Sequence, residues 1–141
     1  MQSKKGFTIV ELIIVIAVVA VLAAIILVNV FQYIAKDKNS AVKGNMADLL
    51  VEAAVYYGQN GNYTDFNASP KYESYAASIS ESIGSGPVVI HTTDQTFCAC
   101  SSMVATEADP AGSTFCVDST GAKKQTTTDC NTECDAAGVC L

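Results

Sequence analysis

The stretch that decides the fold reads Lys4-Lys5-Gly6-Phe7-Thr8-Ile9-Val10-Glu11, followed by seventeen consecutive apolar residues from Leu12 to Val28. Apolar character reaches back to Phe7 and on to Phe31 with few breaks. A bilayer core takes about 20 residues of helix, so this segment is long enough to span it. Lys4 and Lys5 precede it, which favours a cytoplasmic N-terminus with the body of the chain on the far side. The run exceeds the roughly 7–15 residues of a signal-peptide core, and no Ala-x-Ala triple lies between Ala17 and Ile26. A removable secretory signal is therefore disfavoured. A plain anchor accounts for the length but leaves Glu11 unexplained. An ionisable group inside a membrane segment is costly and marks function, unless it sits at the interface where the cost is small. Ala17, Ala20 and Ala24 make a smooth helical face suited to close helix approach, though alanine is ordinary in membrane helices.

Outward from this segment the helical pattern continues. Val42, Met46, Leu49, Leu50, Ala53, Ala54 and Tyr57 recur at steps of three and four, with Lys38, Lys43, Asp48 and Glu52 at other positions. No proline occurs before Pro70, and Gly58, Asn60 and Gly61 supply the stop. One helix from Phe7 to about Tyr57 is expected, about 75 Å long at 1.5 Å per residue. Thr64 to Pro87 reads as a connecting loop with a short helix around Tyr75–Ile83. Val88–His91, Thr96–Cys100 and Ser113–Asp118 read as strands, the last with Phe115 and Val117 on one face, and Asp109-Pro-Ala-Gly112 and Ser119-Thr-Gly121 as turns. A small antiparallel sheet packed on the amphipathic half of the helix is the economical α+β architecture.

The composition narrows the function. At 141 residues the chain is one domain's worth. It carries 8 lysines, no arginine and 14 acids, a net charge of −6. Beyond Gly6 six lysines face all 14 acids, and so acidic a body repels phosphate backbones, which argues against general nucleic-acid binding. Cys98, Cys100, Cys116, Cys130, Cys134 and Cys140 all fall in the last 44 residues. An even count in a small region behind a membrane segment points to disulfides and an oxidising compartment. Zinc is the rival reading, but the spacings are not the usual Cys-x2-Cys and His91 is seven residues from the nearest cysteine. Six cysteines allow 15 pairings, and their order in the chain does not choose among them. No catalytic set stands out: His91 is alone and reads as a strand residue, and no serine has a Gly-x-Ser-x-Gly setting. No enzyme activity, metal or cofactor is expected. Asn62-Tyr-Thr64 and Asn67-Ala-Ser69 match the short glycosylation triplet, which is too common to carry weight.

Lys4-Lys5-Gly6 followed by Phe7-Thr8-Ile9-Val10-Glu11-Leu12 resembles the class III leader junction of type IV pilins and type II secretion pseudopilins. Glu52-Ala-Ala-Val-Tyr-Tyr57 with Asn60-Gly61-Asn62-Tyr63 resembles the helix exit common in that family, and Phe115–Gly121 a strand-turn sequence found in some of its members. The resemblance implies a pilin fold: a leader at 1–6, an N-terminal helix at 7–58 whose 7–31 part is the transmembrane and assembly segment, and a globular head at 59–141. It implies cleavage between Gly6 and Phe7 by a prepilin peptidase, N-methylation of Phe7 by the same enzyme, and a role for Glu11 in assembly. The implied function is a structural subunit of a type IV pilus-like surface filament. Its partners would be identical subunits in a helical filament, the peptidase-methylase and the pilus assembly machinery. It would be a single-pass protein of the cytoplasmic (inner) membrane before assembly and part of a cell-surface filament afterwards. A pseudopilin of a type II secretion system and a non-polymerising, membrane-anchored, cysteine-rich binding domain are the alternatives. Asp118, Asp129 and Asp135 invite comparison with the calcium loop of the major pseudopilin, but they lack a spaced calcium-loop pattern and read as solvated turn carboxylates. Many family members place proline at the twenty-second mature position and glycine where Ala20 stands. Here the former is Val28, so an unbroken helix through Ile25–Phe31 is expected in the isolated subunit.

Overall fold

The computed structural model describes residues 6–84 and 86–141; Lys4 and Lys5 of the expected leader lie outside the described residues. The chain divides into two units, Met1–Ile34 and Ala35–Leu141, and helix α1 (Ile9–Asn60) contributes to both. In the first unit α1 is apolar almost without interruption, and its described side chains from Ile9 to Leu27 are all exposed. The stretch is long and apolar enough to cross a membrane. Helix continues through position 28, as the absence of proline predicts, and Asn29 Nδ2 donates to the Ile25 carbonyl at 3.3 Å.

In the second unit α1 becomes one-sided. Val42, Met46, Leu49 and Ala53 are fully buried, Leu50 and Tyr57 are partly buried against the same core, and Ala54 turns outward. The expected stripe therefore holds except at Ala54. The helix passes Gly58 and stops at Asn60, where Gly61 N donates to the Tyr57 carbonyl at 2.7 Å.

The segment expected to be mostly loop is more ordered than its composition suggests. A 3-10 turn at Phe66–Ala68 leads into α2 (Pro70–Ile83), which begins five residues before the expected Tyr75. Ser69 and Pro70 are the reason. The Ser69 hydroxyl accepts from Tyr72 N at 3.2 Å, and proline is tolerated in a first turn that has no use for its missing N–H. Gly84 closes the helix at φ +72°, a left-handed conformation that costs glycine little. Tyr72 and Ile79 face the core.

Four strands follow as an antiparallel meander: β1 (Val89–Thr92), β2 (Phe97–Ser102), β3 (Thr114–Asp118) and β4 (Lys123–Thr126). β4 escapes the sequence reading because Lys-Lys-Gln-Thr carries no apolar residue. It is an edge strand that pairs with β3, and lysine suits an edge because it discourages further pairing. The inner strands alternate between two chemistries. Phe97, Ala99, Phe115 and Val117 enter the apolar core with α1 and α2, whereas Cys98, Cys100 and Cys116 gather in a second buried cluster.

Phe66 sits at the centre of the apolar core. It is fully buried, with ring centroids 5.3 Å from Tyr56, 5.8 Å from Phe97 and 5.9 Å from Tyr72. Its edge-on and tilted packing is favourable for aromatic rings. On the other face of the sheet the C-terminal tail is held by Cys98–Cys134, Cys100–Cys130 and Cys116–Cys140, with Cys130–Glu133 forming the short α3. Each sheet cysteine takes one tail cysteine. Gly138 in the tail lies so close to Thr96, the residue before β2, that a Cβ there would meet Thr96 Oγ1 at 2.6 Å.

A buried polar clamp ties the β2–β3 loop to α1. Asn39, only 2% exposed, donates from Nδ2 to the Val104 carbonyl and to Asp109 Oδ2, each at 2.8 Å, and accepts from Val104 N at 2.8 Å. Asp109 Oδ1 accepts from Gln125 Nε2 of β4 at 2.6 Å and lies 3.6 Å from Lys43 Nζ. Thr106 Oγ1 adds a longer bond to Oδ2 at 3.3 Å. Burial pushes the Asp109 carboxyl up, but the Asn39, Gln125 and Thr106 hydrogen bonds and the Lys43 ammonium outweigh it and hold the group below its usual 3.8.

Two outcomes test this packing. Phe66→Ala should cost about 3–5 kcal/mol in chemical denaturation, because the ring's contacts are lost and the cavity is only partly refilled. Since the pKa of Asp109 is depressed in the folded state, its contribution is complete above the unfolded value and is lost as pH falls through the folded one. Denaturation midpoints measured from pH 6 downward should therefore drop below about pH 4, with a shallower drop in Asp109→Asn, which is already destabilised at neutral pH.

Candidate assembly site at the N-terminal helix

Gly6 and Phe7 precede the first helical turn, and both are exposed, Phe7 at 81%. Thr8 stands immediately before α1 and Glu11 lies three residues on. Thr8 N donates to Glu11 Oε2 at 2.9 Å and Thr8 Oγ1 donates to the same oxygen at 2.7 Å. In return Thr8 Oγ1 accepts from Glu11 N at 3.2 Å. This is a capping box: two backbone donors that the helix start leaves unpaired are satisfied by two side chains reaching across the first turn. The carboxylate also lies at the positive end of the helix dipole. The next acid in the chain is Asp37, so Glu11 is the only carboxylate side chain of the apolar half.

The capping box gives Glu11 a role within its own helix that the sequence reading did not assign. Thr8 was missed, although Thr-x-x-Glu before an apolar run is the signature that reveals it. Both Thr8 donors go to Oε2, and among the described residues Oε1 has no partner.

The remaining candidates fall elsewhere. His91 lies in β1, and its strand register sets it opposite Cys98, a proximity invisible in their sequence spacing. Asp129 accepts from Asn131 N at 2.9 Å and Asp135 from Ala137 N at 3.0 Å, each holding its own local turn. Asp118 departs from the expected solvated carboxylate because it is buried. Its Oδ1 accepts from Thr120 N, Thr120 Oγ1 and Ala122 N, and its Oδ2 from Cys140 N at 2.9 Å. Burial pushes this carboxyl up, and the hydrogen bonds more than offset that, leaving it below its ordinary value. It is thus a structural anchor for the tail.

A long apolar N-terminal helix whose second half packs on a small, disulfide-stapled antiparallel sheet is consistent with the pilin fold. Residues 1–27 match the prokaryotic N-terminal methylation motif. The chain is 36% identical over 63 residues to the type IV major pilin protein PilA of Myxococcus xanthus, covering 45% of this chain and 29% of that protein. It is 37% identical over 73 residues to the type IV major alpha-pilin of Moraxella bovis, covering 50% and 46%. To the type IV wide pilus major component PilA4 of Thermus thermophilus it is 33% identical over 69 residues, covering 49% and 53%. The matched region spans about half or less of these relatives' length. No solved structure matches the chain. Each of these similarities covers part of the chain, the motif its first 27 residues and the relatives about half of it.

The capping box is directly testable. Thr8→Val should weaken the first turn by about 1 kcal/mol, or roughly fivefold in the amide-exchange protection of Glu11 in detergent micelles. Thr8→Ser should retain most of that protection.

Proposed function

We propose that the chain is a structural subunit that polymerises into a type IV pilus-like surface filament. The observation that carries this reading is the join of Gly6-Phe7 to a capped Glu11 at the head of a helix whose described apolar side chains are exposed. Residues 1–6 act as a leader removed by a prepilin peptidase, which then methylates Phe7. Residues 7–58 form the assembly helix, inserted in the inner membrane through 7–31 until the filament takes it up, and 59–141 form the head.

Cleavage creates a positive amine on Phe7 at the top of an apolar helix, where an unpaired charge is costly. Glu11 of an adjoining subunit supplies the anion. Its Oε1 receives the amine while Oε2 keeps its Thr8 bonds, so pairing need not break the helix cap. Each charge alone opposes burial, and together they compensate. This gives the polymer a register that leucine and valine contacts cannot provide. The named relatives are major pilins, which favours a pilus subunit over a secretion pseudopilin and supports a non-enzymatic role.

Mass spectrometry of the N-terminal peptide from purified filaments should find a methylated Phe7; an intact Met1 would sink the reading. Glu11→Gln should insert and be processed normally yet assemble poorly, and an unchanged filament yield would make the carboxylate a bystander.

A further inference from the structure

The charges of the head are not spread evenly over its sheet. From Ala35 to Leu141 six lysines face 13 acids. Two lysines reach acids of their own unit, Lys43 at 3.6 Å from Asp109 and Lys124 at 3.4 Å from the buried Glu133. Lys124 still keeps 48% of its side chain in solvent.

Strand register fixes where two opposed patches lie. Lys123 opens β4 opposite Val117, which lies opposite Ala99, which lies opposite Ile90. A line across the sheet thus runs from β1 to Lys123, with β2 and β3 between. Lys123 and Lys124 are both exposed and make the β4 edge basic. Asp129, the next acid along the chain, lies beyond the other end of that strand. In this meander the β1–β2 and β3–β4 turns share one end of the sheet, and at that end the β1 side is acidic. Asp94, in the β1–β2 turn, and Asp65 are both exposed. Thr64 holds them near each other: its Oγ1 donates to Asp94 Oδ1 at 2.8 Å, and its carbonyl accepts from Thr92 Oγ1 of β1 at 3.1 Å. The Asp65 carboxylate takes no part in capping the 3-10 turn that it precedes. Lys71 and Glu73, the next charges along the chain, offset each other.

We infer that these patches are the two halves of a contact between copies of this chain: the Lys123–Lys124 edge of one head docks on the Asp65 and Asp94 side of the next. The inference rests on the filament reading above. The contact is made by side chains, since lysines discourage strand addition at this edge.

Because the two patches are different surfaces, the contact is head-to-tail and leaves one of each free on the terminal copies. A contact of that kind propagates into an open helical polymer whenever its rotation does not close a ring. Exposed ion pairs add little affinity. Opposed charges add orientation and register, because a head turned the other way brings acid against acid. The apolar helix then supplies the affinity, and the heads set how neighbouring copies are turned.

The test treats intact filaments, and the same subunits dispersed in detergent, with a water-soluble carbodiimide that joins carboxylates to amines in contact. Mass spectrometry of linked peptides should find Lys123 joined to Asp65 or Asp94 in filaments and not in dispersed subunits. Filaments linked only through other residues, or equal linkage in dispersed subunits, would overturn the contact. Lys123→Glu and Asp65→Lys should each lower filament yield at least about twofold at low salt, and the combined variant should recover it. Both positions are exposed, so neither change should move the thermal midpoint of the dispersed subunit. A combined variant no better than the single ones would also remove the pairing. If the unaltered chain forms no filaments, the filament reading fails and the contact with it; filaments without the linkage leave that reading standing and remove the contact alone.

Discussion

Strands β2 and β3 alternate between apolar side chains and cysteines, so the sheet has two faces that must be covered by different means. One face meets the amphipathic part of α1 and α2 and is buried by ordinary apolar packing around Phe66. The other meets a tail with few large apolar residues, where covalent links replace a second apolar layer. A head of this size has little core to spare, and bridges that restrict the unfolded chain offset that shortage. The short α3 and the Asp118 contact to Cys140 belong to the tail that these links hold.

Helix α1 serves two environments with one backbone conformation. Up to Leu27 its described surface is exposed and, Glu11 apart, apolar, while beyond Ala35 it has a single buried stripe. The first pattern is stable only in lipid or against like helices, and the second only against a folded body. The Asn39–Asp109 clamp stands near the start of the second pattern. It fastens a loop 65–70 residues away in sequence by hydrogen bonds where small polar side chains rule out apolar packing.

At the head of the helix Glu11 combines two demands that usually conflict. A carboxylate in an apolar segment is penalised unless its oxygens are occupied, and capping occupies one of them without a second chain. The cap also orders the first turn, so that under the proposed assembly an incoming amine would meet a carboxylate already positioned.

Much of this was legible in the sequence because the signals are local. The apolar run, the lone Glu11 within it, the stripe from Val42 to Ala53 and the alternation around Phe97 and Phe115 each depend on neighbours a few residues apart. Thr8 was equally legible and was overlooked. The start of α2 was readable from Ser69-Pro70 once serine is weighed as a cap. Other features had no local signal. β4 is a strand because β3 offers it an edge, and its own residues are those of a loop. Asp109 read as a turn residue and Asp118 as a solvated one, because their partners Asn39 and Cys140 come from distant segments. Spacing placed six cysteines in the head but could not pair them; the register of β2 on β3 put three on one face and left the tail to supply the rest. Side-chain period and propensity belong to each local stretch and can be read along the chain, whereas pairing across loops depends on which surfaces meet once the chain has folded.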